Sequence, residues 1–208
     1  LMLGLAACSN SGSKSTPAPD VTTPATGTPG VTNTPEATAP VEPEGPYLTF
    51  TDSCGTEFTL DKPLEKVIIL NRQTAEAFTI LGAQDIVIAT GDTTIANNPY
   101  LGYNDLPDMG DTGELNIEAI LALEPEAVFV HTNRATDLEA QLEPAGVKVI
   151  RIDNYQPERF DEEMRLLGQI LGKEERAEDF LTYKNAVEAM VSERVNEIPD
   201  EEKKTVMA

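Results

Sequence analysis

The sequence is short of the residues that metal cages, disulfide frameworks and nucleic-acid surfaces need. It holds no Trp, one His (His131) and two Cys (Cys8 and Cys54). A zinc ribbon, a multi-histidine cage and a disulfide scaffold each require more, so all three are excluded. Positive charge is scarce as well. Fifteen Lys and Arg stand against 36 Asp and Glu, a formal net charge of −21 over 208 residues. DNA, RNA and anionic lipid surfaces are bound through a basic face that displaces counterions, and this balance argues against all three. No apolar run reaches the ~18 residues of a membrane-spanning helix. The signatures GxGxxG, the P-loop, GxSxG and Cys-x-x-Cys are missing too. What is present is a chain with 40% hydrophobic residues, enough to build the core of one good-sized domain.

The opening LMLGLAAC is an apolar run that ends in small residues and Cys8. It lacks an initial Met and a preceding basic segment, so the precursor is expected to start upstream. Leu5-Ala6-Ala7-Cys8 resembles a bacterial-type lipobox. On that resemblance residues 1–8 are the end of a lipoprotein signal, with Cys8 the lipid-attachment residue that moors the protein to the outer face of the cell membrane. An ordinary secretory signal with an incidental Cys is the other reading. Residues 9–46 hold eight of the 15 prolines and eight threonines, with one Lys and four acidic residues. Almost no large apolar side chain is available there to offset chain entropy, so a disordered Thr/Pro-rich linker is expected. That segment carries −3, which leaves −18 on residues 47–208.

From Tyr47 the pattern changes. YLTFT and TEFTL alternate around Asp52-Ser53-Cys54-Gly55, which predicts a β-hairpin. KVIIL (66–70), IVIAT (86–90), AVFVH (127–131) and VKVIRI (147–152) are apolar runs of the kind buried on both faces of a parallel sheet. Helices are predicted at Thr74 to Leu81, ending at Gly82, from Asn116 to Pro125, and over 136–145. Between Gly91 and Glu114 an irregular stretch is expected. Strand and helix alternating in this rhythm predict an α/β fold: a parallel, Rossmann-like sheet with crossover helices. Phe160, Met164, Leu167 and Leu171 form an apolar stripe that stops at Gly172. Phe180, Tyr183, Val187, Val191 and Val195 form another, on a helix from about Glu174 to Glu197. Pro199 and a charged turn follow, and TVMA reads as a strand beginning. A helix of that length running into an unfinished strand predicts a second domain beyond.

Ligands of open parallel sheets sit beyond the carboxyl ends of the strands. The places to look are therefore Asn71-Arg72, Gly91-Asp92-Thr93, His131-Thr132-Asn133-Arg134 and Asp153-Asn154-Tyr155. Arg72 follows a buried strand, where it can pair with a carboxylate. Arg134 supplies a second cation and Tyr100 an aromatic platform. Two guanidinium groups in an acidic body favour an anionic ligand. His131 either ligates a metal, hydrogen-bonds a ligand or caps nearby backbone. Cys54 reads as a structural or incidental thiol. Asp161-Glu162-Glu163 and Glu201-Glu202 read as solvated charge.

These residues together resemble the helical-backbone (class III) substrate-binding lipoproteins of ABC importers for iron chelates, haem or cobalamin, within the periplasmic-binding-protein family. The most specific stretch is ELNIEAILALEPEAVFVH (114–131), a helix running into a buried strand. TDSCGTEFTL, KVIILNRQTAEAFTILGA and LGQILGKEERAEDF match further family positions in order and spacing. The resemblance implies an amino-terminal α/β lobe over 47–172, a long inter-lobe helix over 173–199, and over 200–208 the start of a second lobe that is otherwise missing. It implies cargo held between two lobes without chemistry, so no enzyme and no resident cofactor. It also implies a monomer that docks on a permease coupled to an ATPase, with Glu118 at the docking tip. The cleft set on this reading is Asn71, Arg72, Gly91, Asp92, Tyr100, His131, Thr132, Arg134 and Asn154, with His131 a candidate axial ligand to a haem-like or corrinoid metal. No row of aromatics stands where a cobalamin binder would stack the corrin, although Tyr100, Tyr103 and Tyr155 are candidates to replace it. The rival readings are a tetrapyrrole metal chelatase, which would want a second His beside His131, and a ligand-sensing surface receptor without an importer.

Overall fold

The computed structural model describes residues 45–204; Cys8, the linker up to residue 44 and the TVMA segment (205–208) lie outside the described residues. The chain opens with a hairpin. Strands β1 (Leu48–Thr51) and β2 (Glu57–Leu60) pair antiparallel. Its turn is closed by the buried Asp52 carboxylate, whose Oδ1 accepts the amides of Cys54 and Thr56, each at 2.9 Å. Gly55 sits there at φ +88°, a conformation that a residue with a Cβ adopts at a cost.

Four short parallel strands follow: β3 (Val67–Ile69), β4 (Val87–Thr90), β5 (Ala127–Val130) and β6 (Lys148–Arg151). Their order across the sheet is β4-β3-β5-β6. Helix α1 (Arg72–Leu81) carries the chain from β3 sideways to β4. The next two crossovers, containing α3 (Ile117–Ala122) and α4 (Leu138–Leu142), run in the opposite direction. Right-handed crossovers that reverse direction must put their helices on opposite faces. The packing agrees. Val67, Ile69, Phe129 and Ile150 meet Phe78 and Leu81 of α1 on one side. Ile68, Val128 and Val149 meet Ile120, Leu138 and Leu142 on the other. The α/β fold with a parallel sheet and a preceding hairpin is thus as the sequence pattern predicts.

Local departures have physical causes. Helix α1 starts two residues earlier than its apolar pattern, because Asn71 caps it: Oδ1 accepts the Thr74 amide at 2.7 Å. The stretch expected to be irregular after β4 contains a short helix, α2 (Asp92–Asn97), and a 3-10 turn at Pro99–Leu101. The helix expected over 136–145 is α4 followed by a 3-10 turn at Glu143–Ala145.

Helices α5 (Phe160–Leu171) and α6 (Glu174–Asn196) complete the fold. They approach so closely at Gly168 that an added Cβ would lie 2.9 Å from Ala177 Cβ. At ~1.5 Å per residue α6 is about 35 Å long. Of the stripe expected along it, Phe180 packs against the core beside Phe160, and the positions beyond it are not buried among the described residues. Only Ala177 and Leu181 are buried, while Tyr183 is 68% exposed and Val191 50%. The helix leans on α5 and α1 with its first turns and then runs on past them.

Candidate functional site

The strand order places a topological switch point between β3 and β5, where the chain leaves the sheet in opposite directions. Loops diverge at such a point and leave a crevice beyond the strand ends. A pocket of about 310 Å³ lies there. Asn71 and Arg72 contribute from β3, Asn98 and Asp111 from the segment after β4, and His131 and Arg134 from β5. No Phe, Tyr or Trp side chain lines it among the described residues.

The β5 wall is built on buried polar groups. Arg151, only 5% exposed at the end of β6, donates to the carbonyls of His131 (2.9 Å), Arg134 (2.7 Å) and Ala135 (3.0 Å). The same guanidinium grips Glu139 of α4 through Nε and Nη2. That pairing holds the Glu139 carboxyl below its usual range and raises Arg151. Three carbonyls of the 131–135 loop are thereby tied to one buried cation. Beside it, Asp153 is 1% exposed. Its Oδ1 accepts the Thr132 amide at 3.0 Å and lies 3.3 Å from His131 Nδ1; its Oδ2 accepts the Thr132 hydroxyl at 2.9 Å and the Gln156 amide at 3.3 Å. Burial pushes the His131 imidazole down from its ordinary value; Asp153 opposes this, and the Arg134 charge adds to it. Tyr155 stands edge-on to the His131 ring, with centroids 5.6 Å apart.

The β3 wall is more open. Asn71 lines the pocket yet is committed twice: its Oδ1 caps α1 and its Nδ2 donates to the Ile152 carbonyl at 3.2 Å. Arg72 is half-exposed, with Nε 3.6 Å from Glu76. Tyr100 is 70% exposed and donates to Glu76 (3.1 Å) or Asn98 (3.0 Å). It stands next to the pocket rather than in its lining, tied to the carboxylate that holds Arg72.

The remaining residues named from sequence are placed as follows. Gly91 caps α2 and passes so close to Gly110 that a Cβ would lie 3.2 Å from its carbonyl oxygen. Asp92 opens α2, and its side chain lies outside the described residues. Thr132 turns its hydroxyl to Asp153 and does not line the pocket. Asn154 is buried at φ +53° and accepts from Thr74 at 3.1 Å, so it braces α1 and does not line the pocket. Glu118 is exposed in the first turn of α3, on the same carboxyl-end rim. Cys54 stands at the hairpin tip, Sγ 3.8 Å from the Thr132 carbonyl, its thiol pushed up by partial burial and by Asp52.

Sequence reasoning missed Arg151, Asp153 as a support of His131, and Glu163. Glu163 is 3% exposed; it accepts from Ser53 Oγ and from the Asn154 amide, both at 2.7 Å. It is therefore not solvated charge. The signal was available: Glu163 interrupts the apolar face of α5, and Arg151 sits in a strand buried on both faces, and such charges are paired.

Comparison with known proteins agrees with this architecture. A cobalamin-binding protein from Halobacterium salinarum is 26% identical over 104 residues, which cover 50% of this chain and 28% of that protein. A periplasmic solute binding protein from Veillonella parvula superposes with a TM-score of 0.64 at 18% identity, covering 74% of this chain and 50% of that one. An ABC-type Fe3+-hydroxamate transport system protein from Saccharomonospora viridis gives 0.58 at 22% identity, covering 72% and 57%. The chain thus spans about half the length of the solved structures it resembles. Residues 67–208 match the family described as periplasmic binding protein, more than half of the chain, and the protein belongs to that family.

Proposed function

We propose that this chain is the cargo-binding lobe of an extracytoplasmic, lipid-anchored component of an ABC importer, and that it captures a metal chelate of the iron-siderophore, haem or corrinoid type. The observation that carries this reading is the pocket at the switch point. It gathers two guanidinium groups and the chain's one imidazole in a chain of net charge −21. Arg72 and Arg134 engage anionic oxygens of the chelator, and His131 faces its metal or a polar edge. Among the described residues no group of three or more His, Cys, Asp or Glu is placed to hold a bare metal ion. A metal reaching His131 therefore brings its own chelator. A second lobe closes over the cargo without making or breaking its covalent framework, which is a binding protein's work and not an enzyme's. Glu118, exposed on the same rim, meets basic residues of the permease. Cys8 carries the lipid.

The test is an absorbance titration of the full-length protein with hemin, aquocobalamin and a ferric hydroxamate. Saturable binding of one of them, weakened by Arg72→Ala and Arg134→Ala, is the expected result. Binding of none would remove the reading.

A further inference from the structure

The pairing of His131 with Asp153 does more than hold the ring. Every group set against the Asp153 oxygens is a donor: the Thr132 amide, the Thr132 hydroxyl and the Gln156 side-chain amide. A carboxylate so placed only accepts, so the ring nitrogen facing it, Nδ1 at 3.3 Å, is the one that carries a proton. A neutral imidazole has one N–H, which leaves the lone pair on Nε2 at the opposite edge. His131 is one-fifth exposed and lines the pocket. Arg72 and Arg134 line the same pocket.

We propose that Asp153 is a positioning residue that fixes His131 in the Nδ1–H tautomer, so that Nε2 meets cargo as an electron-pair donor. This rests on the pocket's being the cargo site. It divides the pocket's labour. Anionic oxygens go to Arg72 and Arg134, while His131 repels them and selects an electron-pair acceptor, above all a metal with an exchangeable coordination position. Ligation is then a simple exchange: the bond from the metal to water breaks, a bond to Nε2 forms, and water leaves with no change of oxidation state. Asp153 supports the ligand in the way outer carboxylates support metal-bound imidazoles.

The sequence makes the test direct, because it holds one His. Isotope-labelled histidine gives a single ring in a long-range proton–nitrogen correlation spectrum. In the cargo-free protein at mildly alkaline pH, Nδ1 is expected to be protonated and Nε2 to be the pyridine-type nitrogen, opposite to the preference of free histidine. Asp153→Asn keeps an acceptor oxygen toward Nδ1 and retains this pattern; Asp153→Ala loses it. A protonated Nε2 in the parent protein overturns the proposal, whatever the variants do. The second arm compares aquocobalamin with cyanocobalamin, which share a corrin but differ in whether the upper position exchanges. Aquocobalamin is expected to bind with a shifted absorption band, about 10–100-fold weaker in Asp153→Ala. Equal binding of both corrinoids without a band shift overturns the donor role. The expected tautomer with no binding of hemin, aquocobalamin or ferric hydroxamate overturns the cargo reading instead, and the two failures are thereby told apart.

Discussion

The two walls of the pocket are made differently. The β5–β6 wall hangs on buried ionic groups: Arg151, Asp153 and Glu163 are each 5% exposed or less, and their bonds tie the hairpin tip, the 131–135 loop, α4 and α5 into one piece. The β3–β4 wall hangs on the half-exposed Arg72 and Glu76 and the exposed Tyr100, whose contacts compete with water. Buried charges are costly to strand and exposed pairs are nearly free to break. One wall is therefore rigid and presents His131 in a fixed pose, and the other leaves the Arg72 cation able to rearrange. Substitutions should separate the two.

The largest effect is expected at Arg151. Replacing it by Ala strands three loop carbonyls and Glu139, and the cost should be about 3–5 kcal/mol in urea unfolding. Arg151→Lys should recover only part of it, because an ammonium cannot serve carbonyls and a carboxylate in one planar fork. A loss under about 1 kcal/mol would show that the wall is not held by this cation. Next comes Glu163→Ala, which leaves the buried Asn154 amide without its acceptor. About 1–3 kcal/mol is expected, together with faster hydrogen exchange at Asn154.

How much of this was legible beforehand follows the physics of each feature. The strands were legible because runs such as VIIL and AVFV are buried on both faces, and helix ends because Asn116, Gly82 and Gly172 cap them through local chemistry, whereas the cap at Asn71, among strand-end residues, went unread. Helix α2 was not, since DTTIAN shows no apolar period and its cap is a glycine without a side chain. The stripe on α6 was a true period that packs at Phe180 and is largely exposed beyond it among the described residues. At the site, strand-end position alone was enough to bring Arg72, His131 and Arg134 round one pocket. It said nothing about direction, so Asn154 and Thr132, which turn inward, looked the same as residues that turn out. Long-range supports such as Arg151 to Arg134 need the tertiary structure, because their partners are set by loop path and not by spacing.

On the open wall, Arg72→Ala should change stability by no more than ~0.5 kcal/mol while, on the proposed reading, weakening the binding of an anionic chelate. Its Nε contact to Glu76 is a half-exposed pair, and losing it strands nothing buried. If Arg72→Ala unfolds as readily as Glu163→Ala does, the contrast between the walls fails.

The smallest expected effect is a pH dependence at His131. Burial, reinforced by Arg134, makes the folded imidazole a weaker base than the unfolded one, although Asp153 opposes the shift. Above the unfolded value of about 6.5 both states hold the ring neutral, and His131 adds no slope. As pH falls below that value the unfolded chain takes up a proton first, so stability declines, and the decline from this group ends once pH is below the folded pKa. Glu139 acts lower in pH. Its carboxyl is held down by Arg151, so its contribution is present above about 4.3, the unfolded Glu value, and is lost as pH falls through the folded pKa. Urea midpoints measured across this range for the parent and for His131→Ala should therefore keep a constant difference above neutrality. The parent should lose ground relative to the variant on mild acidification. A parent that gains ground instead would mean that Asp153 binds the imidazolium more strongly than burial disfavours it, and the rigid wall would then present a cation.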